Sequence, residues 1–258
     1  MDNIFNGSIY KSRVSIILSA YNESSVILNA IKSIREQHFI DWELIVVNDG
    51  STDITGELVN QEVRKDSRIR LINNEINQGL AASLNKGIAV STGEYIARMD
   101  ADDLALKERL RLQVDYLDEH PDVMVLGGAA IYQNSQGKVL GEVFMPEEHR
   151  DIIRWLLRSS PFIHPTVMMR KSFVDVTSGY DESLNRAQDY DLWFRGKNVG
   201  IYHNLQRPIL IYVQKEKRSL RSLFDSYKVR RRNVSGIKNM SISLFWLVIS
   251  LVMRIVRR

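Results

Sequence analysis

Three carboxylates, Asp100, Asp102 and Asp103, follow directly on an apolar run, Tyr95 to Met99, whose composition predicts a buried strand. Aspartates are poor strand formers, and like charges at contact distance raise each other's pKa unless a cation neutralises them. Alternate side chains of an extended backbone point the same way, so Asp100 and Asp102 can reach one Mg²⁺ or Mn²⁺, with water and phosphate oxygens filling the other positions. The plainer alternative is an acidic turn in which Asp103 caps a helix beginning near Leu106.

Two further strand candidates end in the same manner. Asn48-Asp49-Gly50-Ser51-Thr52-Asp53 delivers Asp49 to the same edge, where a carboxylate can accept a pyrimidine N–H or a ribose hydroxyl; Gly50 permits a tight turn, and Ser51, Thr52 or Asp53 can cap the next helix. Ser19-Ala20-Tyr21-Asn22-Glu23 offers Tyr21 as a stacking face and Glu23 as an acceptor, or else a helix cap at Asn22-Glu23-Ser24. Three acidic strand ends at one rim suit a metal-bridged nucleoside diphosphate better than three unrelated caps. Gln188-Asp189-Tyr190-Asp191 precedes Trp193 and Phe194, and either Asp189 or Asp191 can act as a general base; the plain reading is favourable charge at a helix N-terminus. His164, in Phe162-Ile163-His164-Pro165-Thr166, either lines an acceptor site or is structural.

Strands alternating with helices must position these groups. Val14–Leu18, Trp42–Val47, Ile69–Ile72 and Tyr95–Met99 are the strand candidates. Helical spacing links Val26, Ala30 and Ile34, then Ile54, Leu58 and Val63, then Leu80, Leu84 and Ile88. Such alternation implies right-handed crossovers and a mainly parallel, Rossmann-like α/β sheet with helices on both faces, which binds ligands at the carboxyl ends of its strands. Further on, helices are predicted over Leu106–His120 and Glu147–Arg158 and from Asp189, and strands at Val123–Leu126, Ala129–Tyr132, Thr166–Met169 and Ile209–Val213.

The chain has 258 residues, 44% of them hydrophobic, a net charge of +4 and no cysteine, which excludes disulfides and thiol chemistry. The first residues lack a secretion signal, so a cytoplasmic protein is expected. The excess positive charge lies after residue 215, where Lys and Arg far outnumber Glu216 and Asp225. The reading is therefore one domain over 1–215 and a basic helical tail over 216–258. Within the tail, Ser241–Val256 is apolar but short of a membrane span, and with basic residues on both sides it suits a helix lying on an anionic leaflet. No aromatic-interleaved basic surface points to nucleic acid.

SIILSAYNE, IVVNDGSTD, NQGLAASLNKGI, GEYIARMDADD, SPFIHPTVMMRKS and AQDYDLWFR occur in an order and spacing that resemble glycosyltransferase family 2, over about residues 12–215. The resemblance is to the branch that builds bacterial O-antigen and exopolysaccharide. It implies a GT-A fold and an inverting, metal-dependent hexosyltransferase. The nucleotide sugar would be held by Ala20, Tyr21, Glu23, Asp49, Lys86, Arg98, Asp100 and Ala101, with Asp102 and Asp100 on Mn²⁺ or Mg²⁺. Asp189 would be the base, and His164 and Asp191 would lie on the acceptor side. Two positions depart from the family pattern. Gln188 stands where the family has an acid, and Tyr212-Val213-Gln214-Lys215 replaces a Tyr-Arg-x-His loop, leaving Lys215, Lys217 and Arg218 to supply charge.

The resemblance further implies UDP-galactose or UDP-glucose as donor and an undecaprenyl diphosphate-linked saccharide as acceptor; together with the tail, this leads to the expectation of an enzyme peripheral on the inner face of the bacterial membrane, with its oligomeric state left open. Two alternatives stand beside it. A sugar nucleotidyltransferase would carry a Gly-rich basic loop after the first strand, which Ser19–Ser24 lacks; a catalytically inactive nucleotide-sugar-binding protein would not need both Asp102 and Asp189.

Overall fold

The computed structural model describes residues 12–214, 220–234, 241–242 and 244–249. The β-branched runs form four parallel strands, β1 (Val14–Ala20), β2 (Trp42–Asn48), β3 (Ile69–Asn73) and β4 (Tyr95–Asp100), joined by helices α1 (Ile27–Arg35), α2 (Thr55–Val63) and α3 (Leu80–Ala89). Side chains of β1 and β2 alternate between two cores. Ile16, Leu18, Leu44 and Val46 meet Ile27 and Ile31 of α1 and Val59 of α2 on one face, while Ile17, Ile45 and Val47 meet Leu84 and Ile88 of α3 on the other. Burial on both faces explains why these strands read as continuous apolar runs. On α2 the core residue is Val59; Ile54, expected on that stripe, precedes the helix and is exposed.

The sheet runs β3-β2-β1-β4 and then continues through β8 (Met168–Arg170), β6 (Val123–Asn134), β9 (Ile201–Gln214) and β5 (Leu104–Ala105), with β7 (Val139–Val143) on β6. Beyond β4 it is mixed: β8 is antiparallel to β4 and β6, β6 is parallel to β9, and β5 is antiparallel to β9. The two strands expected over 123–132 are one bent strand whose register shifts at Gly128/Ala129. The strand expected at 209–213 is the end of the longer β9, whose first half carries His203, Asn204 and Gln206 and so gives no apolar signal. Helices α4 (Arg109–Glu119), α5 (His149–Trp155), α6 (Lys171–Thr177) and α7 (Gln188–Gly196) cover the rest of the sheet.

The tail's first helix, α8 (Leu220–Asn233), is docked on the domain. Asn233 Nδ2 donates to Asp191 Oδ1 on α7 at 3.1 Å, Arg230 Nη1 to the Arg158 carbonyl at 2.6 Å, and Arg232 Nη1 to Asp181 Oδ2 at 2.7 Å. Arg230 is buried and ties α8 to the turn after α5, whereas Arg232 stays more than half exposed beside Asp181. Farther on, Leu247 is buried and Trp246 lies 4.6 Å from the Arg158 guanidinium, while Leu244, Phe245 and Val248 are exposed. Among the described residues no helix is long and apolar enough to cross a membrane.

Candidate active site

Register places the strand ends level with one another: Ala20 pairs with Asn48, Asn48 with Asn73, and Ser19 with Asp100. From β1 the chain winds outward through β2 and β3 and then returns to the other side of β1 as β4, so the direction of winding reverses between β1 and β4. A crevice opens at such a point, flanked here by Ala20-Tyr21 and Asp100-Ala101. Its near wall is laced by short polar bonds. Asn22 N–H donates to Ser51 Oγ (3.0 Å), Glu23 N–H to Thr55 Oγ1 (2.9 Å) and Ser24 N–H to Asp53 Oδ2 (3.2 Å), while Asn22 Oδ1 accepts from Thr52 N–H (2.9 Å). Asn22 and Asp53 thus join two loops, and Asp53 also receives the Thr55 N–H at the start of α2. Tyr21 is left exposed and Glu23 half-buried.

Asp49 sits 2% exposed beneath the start of α3. Its Oδ1 accepts from Asn74 Nδ2 (2.8 Å) and Gln78 N–H (2.9 Å), and its Oδ2 from Gly79 N–H (2.9 Å). Lys86 Nζ donates to Asn74 Oδ1 at 2.6 Å, so Lys86 supports Asp49 through Asn74. Gly50, at φ +70°, lets the 74–79 loop lie on the strand end, where any Cβ would stand 2.5 Å from the Ile76 carbonyl carbon. Asn74 and Gln78 were missed in the sequence; their signal was their position just ahead of the Leu80 stripe.

The three carboxylates come together as expected: oxygens of Asp100, Asp102 and Asp103 lie within 4.8 Å of one another. Asp103 is no helix cap. The next helix, α4, begins at Arg109 with Glu108 at its N-cap, whereas Asp103 is 1% exposed and its Oδ1 accepts the Val213 N–H at 3.0 Å. Its Oδ2 is buried without a partner, and burial, reinforced by the Asp100 charge, pushes its pKa up to about 8. An orphaned oxygen and mutual repulsion among hard donors are what a divalent cation relieves, so the residues fit one. Behind them Arg98, 3% exposed, donates to Asp100 Oδ1 with Nη2 and has no partner for Nε or Nη1. It orients Asp100 from below. Arg109, held down to about 9 by burial, donates to the Arg98 carbonyl at 2.7 Å. The other trio that comes as close among the described residues, Glu147, Glu148 and His203, lies toward the opposite end of β9.

Across the crevice, His164 Nε2 meets the Tyr180 hydroxyl at 2.8 Å. Burial, then the Arg98 charge, drives the His164 pKa well down, so its ring is neutral. Burial raises the Tyr180 pKa, and the charges of Asp189 and Asp100 both add to that rise, so both carboxylates lie within electrostatic reach of the pair. Asp189 Oδ2 accepts from Ser160 Oγ at 3.1 Å and faces a cavity of about 180 Å³. Asp191 is different. It is 1% exposed, with its oxygens taken by Arg195 Nε (2.6 Å) and Asn233 Nδ2 (3.1 Å), so it holds α7 to α8 and its expected place on the acceptor side is withdrawn. Tyr180 carries no pattern in the sequence, and Ser160, the first residue of SPFIHPTVMMRKS, is not singled out there because nothing local links it to Asp189.

The profile of "Glycosyl transferase family 2" matches residues 15–177. The chain belongs to that family. Among curated relatives of this glycosyltransferase, "Putative glycosyltransferase EpsE" of Bacillus subtilis is 37% identical over 201 residues, covering 76% of this chain and 71% of its own. "Amylovoran biosynthesis glycosyltransferase AmsE" of Erwinia amylovora is 30% identical, covering 72% and 70%. The GT-A fold appears in S. aureus TarS 1-349 in complex with UDP-GlcNAc, which superposes with a TM-score of 0.70 at 21% identity over 91% of this chain and 71% of that one. The mannosyltransferase PcManGT of Pyrobaculum calidifontis, in complex with GDP-Man and Mn²⁺, gives 0.66 at 20% identity over 93% and 70%. Family membership sets aside the nucleotidyltransferase class. The profile takes in Asp49, the three carboxylates and His164 but ends before Asp189, so the acceptor side of this family 2 enzyme rests on geometry.

Proposed function

We propose that this glycosyltransferase is metal-dependent and inverting, moving galactose or glucose from a UDP-sugar to a saccharide on undecaprenyl diphosphate during assembly of a bacterial surface polysaccharide. The observation that carries this reading is the clustered Asp100-Asp102-Asp103 carboxylates at the end of β4, with Asp189 lining a cavity of its own and both Asp100 and Asp189 near enough to Tyr180 for their charges to act on it. In it, Tyr21 stacks on the base, Asp49 holds the loop that recognises the base, and Asp100 meets the ribose. Asp102, with Asp100, would hold Mn²⁺ or Mg²⁺, which when bound supplies positive charge to the departing diphosphate. Asp189 removes the proton of the acceptor hydroxyl, which attacks the anomeric carbon opposite the leaving UDP. One carboxylate at the acceptor cavity suits a single displacement, and hence inversion. His164, being neutral, positions Tyr180 rather than trading a proton.

The TarS complexes with UDP-GlcNAc and UDP favour UDP, the PcManGT complex favours a divalent ion, and AmsE favours polysaccharide synthesis. The exposed Leu244, Phe245 and Val248 favour a peripheral membrane site, where a lipid-linked acceptor resides. The test is incubation with radiolabelled nucleotide sugars and synthetic lipid diphosphate-GlcNAc or -GalNAc, with NMR of the product. A β-linked product from an α-configured UDP-hexose is expected. An α-linked product, or no transfer from any nucleotide sugar, would overturn the reading.

A further inference from the structure

Two cavities on the acceptor side share one residue. The inner, about 180 Å³, is lined by Ser159, Ser160, Ala187, Asp189 and Leu223 together with Arg186. The outer, about 520 Å³, lies between the 183–186 loop and α8 and is lined by Arg186, Lys228 and Arg232, with Asp225 as its one acid. Arg186 therefore stands where the two meet. Arg232 is fixed by Asp181 at 2.7 Å, while Lys228 is 78% exposed and 3.9 Å from Asp225. The turn that divides the cavities is unusual: Ala187 adopts φ 58°, ψ 24°, a left-handed conformation that costs free energy for a residue with a Cβ. That turn gives Arg186 to both cavities and Asp189 to the inner one.

If Asp189 is the base, the reacting sugar occupies the inner cavity, and whatever that sugar is attached to leaves past Arg186. We propose that the outer groove is an anion subsite, in which Arg186, Lys228 and Arg232 bind phosphate groups carried by the acceptor. This rests on the function proposed above. Guanidinium forks and an exposed ammonium match phosphate oxygens, and three cations along one groove suit a diphosphate better than a single carboxylate. The next part of such an acceptor is apolar, and exposed apolar side chains lie on the segment that packs against Arg158, next in sequence to the inner cavity. The Arg158 carbonyl holds Arg230 of α8, and its guanidinium lies 4.6 Å from Trp246, whose helix exposes Leu244, Phe245 and Val248. Ser159 and Ser160 of the inner cavity follow Arg158 directly.

The test is calorimetric titration of the full chain with inorganic pyrophosphate and with farnesyl diphosphate, in buffer free of divalent ions so that the donor side does not bind them. Both should bind. Lys228→Glu and Arg186→Ala should each weaken binding by about tenfold or more, since a charge-assisted bond is lost, and Asp102→Asn should leave it unchanged. Tighter binding of farnesyl diphosphate than of pyrophosphate marks a lipid-borne group and equal affinity a phosphate alone; either supports the subsite. Absence of binding, or binding that Asp102→Asn removes and Lys228→Glu does not, overturns it. Sugar transfer without this binding would leave the proposed function standing and the subsite rejected. Binding without transfer from any nucleotide sugar would do the reverse.

Discussion

Asp103 Oδ1 accepts the backbone N–H of Val213 at 3.0 Å, so the acidic turn that ends β4 is fastened to the end of β9. Structure and chemistry meet in this one carboxylate, and two substitutions separate them. Asp103→Ala leaves the Val213 N–H without its acceptor and should cost about 1–3 kcal/mol of stability. Asp103→Asn keeps an acceptor there and should hold most of that stability, while both variants lose Mn²⁺ affinity. Chemical denaturation and an EPR titration of Mn²⁺ read the two effects. Equal Mn²⁺ binding in wild type and Asp103→Asn would remove Asp103 from the metal group.

Gly50→Ala places a Cβ at φ +70°, 2.5 Å from the Ile76 backbone. Strain of about 1–3 kcal/mol is expected. Because the 74–79 loop that must move also supplies the donors to Asp49, UDP affinity should fall along with the melting temperature. A variant that melts lower yet binds UDP as wild type would show that this loop is not part of the base site.

Asp189 and Asp191 should fail in different ways. Asp189→Asn is expected to fold normally, bind UDP normally and lose roughly 10²-fold or more in turnover, the usual worth of a general base. Asp191→Asn breaks a buried pair with Arg195 and should cost about 3 kcal/mol of stability. If Asp191→Asn were stable and inactive while Asp189→Asn stayed active, the base assignment would be reversed.

Leu244→Asp/Phe245→Asp/Val248→Asp changes only exposed side chains of the tail helix and spares Leu247 and Trp246, which pack on the domain. The triple variant should stay folded and should no longer sediment with phosphatidylglycerol vesicles that bind the wild type. Unchanged sedimentation would place membrane contact elsewhere or nowhere.

The rim of carboxyl strand ends was legible in the sequence because parallel strands buried on both faces write themselves as apolar runs, and their polar ends then stand out. Tyr21, Asp49, Asp100 and Asp102 are placed at that rim in this way. Direction and partner were not legible. Nothing local to Asp191 signals that Arg195 and Asn233 occupy it, since Asn233 comes from a helix whose docking on α7 is a tertiary matter. Arg98 reads as a candidate ligand for phosphate until its burial shows it bonded to Asp100 from beneath. Asp103 fits a helix cap on spacing alone; its true partner, Val213, is supplied by β9. The mixed second half of the sheet was harder to read, because β9 carries polar residues where it crosses His203 to Gln206.

Metal-assisted release of nucleotide from a nucleotide sugar is the most direct test of the central claim. Purified full-length protein is mixed with UDP-galactose or UDP-glucose and the lipid diphosphate-GlcNAc acceptor, and UDP release is followed in Mn²⁺, in excess EDTA, and for Asp102→Ala in Mn²⁺. The account predicts release in Mn²⁺, loss in EDTA restored by added Mn²⁺, and loss in a folded Asp102→Ala that added Mn²⁺ does not restore, because one carboxylate of a hard-ion site is gone. Full activity of the wild type in EDTA, or of Asp102→Ala in Mn²⁺, would contradict it.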